Sequence, residues 1–320
     1  FFSMLSRIVL CRSFVAALTL LPRPATASYF SSTASAMSFT TQRDGSGTVT
    51  VSPKNEADQS ALVVICHGLG DTAEGFLDVA ERFAASMPHV KFILPTAPTA
   101  PVTMNMGMAM PSWYDITGLD ERSNENCKGI LESRDRVVDI LAKEHESTQL
   151  PYNRMVLAGF SQGGALSLWT GLQLEQKLAG VLMMSSYLPA AGKFTITPGL
   201  EDTPIVHLHG AADPMVTFAV AEKTKETLTA TKGATNYKLK SYPGLQHSIN
   251  MNELADAMEF LQSVLPADDS CKITLKDPSE MSVKELKAAI RKAGLGQQAR
   301  GLMEKPEFIQ LLKDHRDGKL

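Results

Sequence analysis

The residue with the clearest chemical potential is Ser161, at the centre of the sequence GFSQGG (159–164). The apolar run RMVLA before it predicts a buried strand, and ALSLWTGLQL after it predicts a helix. A G-x-S-x-G pattern at a strand-to-helix turn lifts the serine hydroxyl to the carboxyl end of a parallel sheet, and the flanking glycines permit the tight turn. The sequence therefore predicts that Ser161 is a nucleophile.

A serine nucleophile needs a general base, and the base needs an acid that orients it. On this architecture the chain order is serine, acid, histidine. His247, in the loop PGLQHSIN, follows the last predicted strand, whereas His315 lies in the basic C-terminal part of the chain. Asp213 directly follows the apolar run PIVHLHG, at the strand end where such sheets place their chemistry. His247 and Asp213 are the predicted base and acid. The other candidate carboxylates between Ser161 and His247 are Glu175, Glu201, Asp202, Glu222 and Glu226. Glu201 and Asp202 precede that strand, whereas Glu222 and Glu226 fit a solvated helix face.

The tetrahedral intermediate of acyl transfer needs two backbone N–H donors for its oxyanion. One is predicted at Gln162, the residue after the nucleophile. The other is predicted at Leu69, in the turn HGLG (67–70) that directly follows the apolar run ALVVIC. The alternative interpretation of HGLG is a tight turn without a chemical role, since glycine is common in turns.

Apolar runs alternate with helical patterns from Asp44 to Pro266, which indicates an α/β fold with a mostly parallel, doubly wound sheet. A long loop at 95–118, rich in Pro and Met, interrupts the alternation. It predicts an adaptable apolar wall of a binding site for an apolar ligand. The predicted strands are 61–66, 90–94, 154–158, 180–185, 204–210 and, at an edge, 237–242. The predicted helices are 76–87, 130–146, the stretch after Ser161, 218–233 and 253–265.

Composition divides the chain of 320 residues, whose net charge is -3, into three zones. Residues 1–43 carry four Arg and no acid, which is typical of a transit peptide, although FVAALTLL would also suit a secretory signal. We predict a removable targeting leader there, and hence an organelle such as a mitochondrion or plastid, or the cytoplasm if translation starts at Met37. The four cysteines fit no metal motif and are predicted to be reduced.

The C-terminal zone predicts a small helical module at 280–320, joined by a linker at 267–279. Ser282 and Glu285 form a capping-box pattern before a first helix that ends at Gly294, and KPEFIQLLKDH predicts a second helix. Val283, Leu286 and Ile290 are predicted on one face of the first helix, and Phe308, Leu311 and Leu312 on one face of the second. The pair resembles a SAP-like module. Its charges lack aromatic interleaving, so protein docking or a passive two-helix hairpin is favoured over nucleic-acid binding.

Several motifs together resemble the acyl-protein thioesterase and lysophospholipase family, a carboxylesterase branch of the α/β-hydrolases. They are HGLGDTAEGF, PVTMNMGMAMPSWYDITGL, GFSQGGALSLWTGL, KLAGVLMMSSYLP, HGAADPMV and GLQHS, in order over residues 60–266. The resemblance implies an α/β-hydrolase fold, no cofactor or metal, a Ser161–Asp213–His247 triad and oxyanion donors at Leu69 and Gln162. It also implies an acyl-binding wall that includes Trp113, Leu188 and Met215.

The same resemblance implies hydrolysis of thioesters on S-palmitoylated proteins, with peripheral membrane contact as a further expectation. The alternatives are a lysophospholipase or a general short-chain carboxylesterase. A non-catalytic scaffold that works through its C-terminal module is the alternative from another class, and the complete set of Ser161, Asp213 and His247 argues against it.

Overall fold

The computed structural model describes residues 38–118 and 126–320. At its centre lies an eight-stranded sheet in the order β1-β2-β4-β3-β7-β8-β9-β10. The six strands from β4 to β10 in that order run parallel, and β2 pairs antiparallel with both β1 and β4. The bounds are Phe39–Arg43, Val49–Pro53, Ala61–Cys66 and Val90–Leu94 for β1 to β4, then Met155–Phe160, Gly180–Met184, Ile205–Gly210 and Tyr237–Tyr242 for β7 to β10.

Helices cover both faces of this sheet, as the alternating pattern predicts. One apolar core joins the sheet to α2 (Ile130–Thr148), α3 (Gln162–Gly171) and α4 (Phe218–Glu226). The other joins it to α1 (Leu77–Ser86) and α5 (Met251–Val264). Strands β3, β7 and β8 read as continuous apolar runs because helices bury both of their faces. The predicted helix 218–233 is shorter than expected, since α4 passes into a wider π-helical turn at Thr227–Thr231.

The segment predicted as a long loop over 95–118 contains secondary structure that the sequence pattern did not indicate. Strands β5 (Thr99–Val102) and β6 (Met108–Pro111) form an antiparallel hairpin within it. Each strand has four residues, including a proline, so neither shows the alternation that marks a strand. At the hairpin tip Met106 has φ 58° and Gly107 has φ 76°, the left-handed geometry of a tight turn.

The last residues of the predicted leader, 39–43, form part of the sheet. Phe39–Arg43 forms β1, which pairs with β2 at the edge of the main sheet. Arg43 makes an exposed ion pair with Glu74, at 2.5 Å between Nε and Oε1. The sheet therefore includes residues 39–43, and residues 1–37 of the predicted leader lie outside the described residues.

The C-terminal region contains α6 (Val283–Lys292) and α7 (Lys305–Arg316), which share a small apolar core of their own. The capping box of Ser282 and Glu285 is present, and Gly294 ends the first helix with φ 74°. Leu286, Ile290, Phe308 and Leu312 are buried there, whereas Val283 is 39% exposed and does not belong to this core. The helix-to-helix packing follows the predicted faces except at that residue.

The connection between the two parts is packed against the α/β domain. Ile273 is buried in the main core, and its N–H donates to the Gln59 carbonyl at 2.8 Å. The Thr274 N–H donates to the carbonyl of Thr148 at 3.1 Å. The segment predicted as a linker at 267–279 is thus held by backbone hydrogen bonds and by apolar burial.

Replacing Ile273 with Ala should therefore destabilise the whole protein, because it leaves a cavity in the main core. We expect a loss of about 2–4 kcal/mol in the free energy of unfolding. Chemical denaturation followed by tryptophan fluorescence measures this loss. Leu131→Ala is the matched control, since Leu131 is 54% exposed and its truncation should cost under about 0.5 kcal/mol. Equal stability of the two variants would show that Ile273 does not contribute to the core.

Glu253, in the first turn of α5, is a fully buried carboxyl group. Its side-chain oxygens have no hydrogen-bond partner in the described part of the chain. Burial raises the pKa of Glu253 to about 8, with further contributions from the charges of Asp213 and Asp256. The folded protein thus holds a proton at neutral pH that the unfolded chain releases near pH 4.5.

This proton makes stability depend on pH between about 4.5 and 8. Wild-type stability should fall as pH rises through that window, and Glu253→Gln should remove the dependence. The unfolding free energy of the variant minus that of the wild type should rise by roughly 3–5 kcal/mol between pH 4.5 and pH 8.5. Denaturation of both proteins at these two pH values measures the difference. A pH-independent difference would refute the buried neutral carboxyl.

Candidate active site

Ser161 stands at a sharp turn between β7 and α3. Its backbone has φ 52° and ψ −120°, a strained conformation that a non-glycine residue adopts only when its surroundings enforce it. A Cβ on Gly163 would lie 2.1 Å from the Cys66 carbonyl oxygen, and one on Gly159 would lie 2.4 Å from the Gly163 backbone. Only glycine fits at these two positions, so the turn predicted from the G-x-S-x-G pattern is present.

His247 and Asp213 lie beside this serine, as the chain order predicts. His247 Nε2 is 3.0 Å from Ser161 Oγ, and His247 Nδ1 is 2.7 Å from Asp213 Oδ2. Because a carboxylate only accepts, Nδ1 carries the proton and Nε2 is left to accept from the serine hydroxyl. Through these hydrogen bonds, His247 Nε2 can take the proton of the Ser161 hydroxyl as the oxygen attacks an electrophile.

Asp213 is held as a charged acceptor in a buried position. Its Oδ1 accepts the N–H groups of Met215 and Val216 at 2.8 and 3.0 Å. Burial alone would raise the pKa of Asp213, but the hydrogen bond and charge of His247, with these two N–H groups, lower it below its ordinary value. Asp213 therefore stays ionised at the pH where a histidine base works.

The turn HGLG lies against the serine. A Cβ on Gly68 would be 3.6 Å from Ser161 Cβ. His67 Nε2 accepts the Ala97 N–H at 3.0 Å, so its Nδ1 carries the proton and donates to the Gly68 carbonyl at 2.7 Å. This bond turns the Gly68 carbonyl toward His67. Since carbonyl and N–H point in opposite directions across a trans peptide, it turns the Leu69 N–H away from His67.

Gln162, the second predicted oxyanion donor, is the first residue of α3. The first N–H groups of a helix have no intrahelical acceptor, which suits its N–H to bind an anion. Its buried side chain braces the segment after the hairpin. Oε1 accepts the Trp113 N–H at 3.0 Å, and Nε2 donates to the Tyr114 carbonyl at 2.7 Å and to Ser112 Oγ at 3.2 Å.

The three residues predicted for the acyl-binding wall occupy different settings. Trp113 is 2% exposed, and its Nε1 donates to the His67 carbonyl at 2.8 Å. It therefore contacts and supports the first residue of the HGLG turn. It also borders a groove of about 820 Å³ between β2, β4 and α2. Leu188 is 7% exposed, whereas Met215, beside Asp213, is 53% exposed and open to a ligand.

Two histidines of this region were not predicted as functional from the sequence. His67 orients the Gly68 peptide, and His209 contacts the loop that carries Asp213, with Nε2 2.8 Å from the Val216 carbonyl. Both histidines directly precede a glycine at the carboxyl end of a parallel strand. This His-Gly sequence is the signal from which a role for them near the site could have been predicted. In residues 38–118 and 126–320, no group of three His, Cys, Asp or Glu side chains is placed to hold a metal ion.

Comparison with known proteins places this site in a family. The family model described as phospholipase/carboxylesterase matches residues 47–265. Acyl-protein thioesterase 1 of Mycosarcoma maydis is 37% identical over 234 residues, which cover 69% of this chain and 98% of that protein. Acyl-protein thioesterase 1 of Neurospora crassa is 41% identical over 221 residues, which cover 66% and 89%.

Solved structures agree on the fold. Acyl-protein thioesterase 2 of Zea mays is 26% identical with a TM-score of 0.60, over 68% of this chain and 98% of that one. SOBER1 of Arabidopsis thaliana is 29% identical with a TM-score of 0.56, over 64% and 99%. The serine turn, the order of the triad residues and these matches lead to one conclusion: the chain belongs to the phospholipase/carboxylesterase family of α/β-hydrolases.

Proposed function

We propose that this chain is a serine hydrolase that releases acyl groups from S-acylated proteins. The observation that carries the proposal is the continuous hydrogen-bonded line from Ser161 through His247 to Asp213, beside the HGLG turn. The acyl group as substrate is supported by relatives named acyl-protein thioesterase 1, which match this chain over nearly their whole length.

In the proposed reaction, His247 Nε2 takes the Ser161 proton while Oγ attacks the acyl carbonyl. The backbone N–H groups of Leu69 and Gln162 stabilise the oxyanion. As the carbon–sulfur bond breaks, His247 donates that proton to the departing thiolate, and the acyl group remains on Ser161 as an ester. A water molecule, deprotonated by His247, hydrolyses this ester and returns the serine. Asp213 holds His247 in the required tautomer and stabilises its positive charge throughout.

The β5–β6 hairpin supports contact with a lipid chain or a membrane surface. Met106 and Met108 are 83% and 59% exposed near the hairpin tip. The hairpin joins the HGLG turn, because the Gly70 N–H donates to the Pro111 carbonyl at 2.9 Å. Flexible methionine side chains adapt to irregular apolar ligands. In the described ranges, no helix has the length and apolar character needed to cross a bilayer.

A second candidate function is hydrolysis of lysophospholipids or of short soluble esters. The family description covers both, and the same triad would serve them. The difference lies in the acyl chain and leaving group, not in the nucleophile. A scaffold without activity would not need to retain the strained serine turn and its two partners.

Two further proposals concern the ends of the chain. The acid-free N-terminal segment supports targeting to an organelle, and a start at Met37 would leave the protein in the cytoplasm. The C-terminal helices, with their own apolar core and basic charge, support docking to a protein partner.

The first test compares wild type with Ser161→Ala on three substrates: a palmitoyl-thioester peptide, a lysophospholipid and a short-chain ester. We expect kcat/KM to be highest for the thioester and to fall by about 10⁴–10⁶-fold in the variant, because the nucleophile is lost. Ser263→Ala, on α5 and remote from the triad, should keep wild-type rates. A large preference for short esters would favour the second candidate, and an inert wild type would refute both.

A second test addresses the hairpin. The double substitution Met106→Ser and Met108→Ser should lower kcat/KM about 5- to 20-fold on an S-palmitoylated peptide in anionic vesicles, because apolar contact with the lipid is lost. Turnover of a soluble short ester should stay within about twofold, since the triad is intact. Met303→Ser is the matched control, because Met303 is 90% exposed in the C-terminal region. Equal losses on both substrates would contradict a role in lipid contact.

A further inference from the structure

A row of three polar side chains lies behind Asp213, and the proposed reaction uses none of them. Tyr237 Oη is 2.6 Å from His207 Nδ1, and His207 Nε2 is 3.0 Å from His209 Nδ1. His209 Nε2 is 2.8 Å from the Val216 carbonyl oxygen. His207 and His209 are fully buried and stand two residues apart on β9, so they share one face of the sheet.

The protons of this row have one consistent arrangement. The Val216 carbonyl only accepts, so His209 Nε2 carries a proton and Nδ1 accepts from His207 Nε2. His207 Nδ1 then accepts a hydrogen bond from the Tyr237 hydroxyl. Burial lowers the pKa of both histidines, which keeps both rings neutral and preserves this direction of donation. The row begins at the edge strand β10 and ends at the loop that follows β9.

The last member of the row fixes the loop that carries the triad acid. His209 Nε2 donates to the Val216 carbonyl, and the backbone N–H of Val216 donates to Asp213 Oδ1. The other oxygen, Oδ2, bonds His247 and lies 3.6 Å from His209 Nε2. A shift of the 213–216 loop would rotate the Asp213 carboxylate away from His247.

Packing alone does not explain two buried imidazoles. Burying a polar ring is unfavourable unless each of its nitrogens is paired. Leu or Phe would fill the same volume without that requirement. The hydrogen bonds of His209 therefore indicate that the fold requires a fixed position for the loop that carries Asp213.

We propose that His209 is a positioning residue of the catalytic triad, holding the 213–216 loop so that Asp213 Oδ2 meets His247 Nδ1. His207 and Tyr237 fix the tautomer of His209. The inference rests on the proposed function, because it concerns the same Ser161 chemistry, but it does not depend on which acyl substrate is used.

The test compares two replacements of His209. In His209→Gln, the amide N–H can donate to the Val216 carbonyl and the amide oxygen can accept from His207. In His209→Phe, the ring volume stays and both hydrogen bonds are lost. His145→Phe is the matched control, because His145 also bonds a backbone carbonyl, that of Leu150 at 2.8 Å, on the remote helix α2.

The readouts are the rate at which a fluorophosphonate labels Ser161, and kcat and KM on a short ester, all per titrated active site. We expect His209→Phe to lower the labelling rate and kcat by about 10- to 100-fold with KM within about twofold. His209→Gln should stay within about threefold of wild type, and His145→Phe should match wild type. Normalisation to active sites removes any effect of misfolded protein.

Tyr237→Phe keeps the inference testable if His209→Phe does not fold, since it removes one hydroxyl that fixes the tautomer. We expect a loss of about 2- to 5-fold in kcat from that variant. Wild-type kcat in Tyr237→Phe and in any folded His209→Phe, or equal losses in His209→Phe and His209→Gln, would overturn the positioning role. A wild type that is neither labelled nor active would instead overturn the proposed function, and this inference with it.

Discussion

The site depends on the close approach of the start of α3 to the end of β3. Gly163 lies so near the Cys66 carbonyl that no side chain fits between them, and this contact forces the strained backbone of Ser161. The strain points the hydroxyl at His247 and leaves the first N–H groups of the helix beside it. The HGLG turn continues from the same strand end, so this contact lies beside both the nucleophile and the turn that carries Leu69.

Around this contact, buried polar groups set the electrostatics. Asp213 is stabilised as an anion by two backbone N–H groups and by His247. Glu253 is buried without such donors, and the same burial keeps it protonated. The two carboxyl groups differ because the hydrogen bond and charge of His247, together with the two N–H groups, outweigh the effect of burial on the pKa of Asp213, whereas burial dominates the pKa of Glu253. A site that needs one negative charge under its histidine can tolerate a second carboxyl nearby only while that carboxyl stays neutral.

The sequence was sufficient to predict that Ser161, His247 and Asp213 lie together and that the sheet is mostly parallel, because the G-x-S-x-G pattern, the chain order and the apolar runs are signals that the sequence carries directly. The sequence was insufficient to predict β1 and the β5–β6 hairpin. These short strands form only where a neighbouring strand of the same chain supplies their hydrogen bonds. The bracing of Trp113 by the Gln162 side chain also depends on tertiary approach between residues 49 positions apart. No periodicity encodes such a contact.

The packed connection at Ile273 also bears on how the chain would respond to a protease. Residues 266, 267, 269 and 270 are exposed and offer cleavage points, whereas the backbone from Ile273 to Thr274 is hydrogen-bonded to the domain. The Asn55 side chain additionally donates to the carbonyl of Arg316 at 3.4 Å. A nick after Ala267 would therefore cut the covalent bond without freeing the C-terminal helices, which would stay attached as a non-covalent fragment.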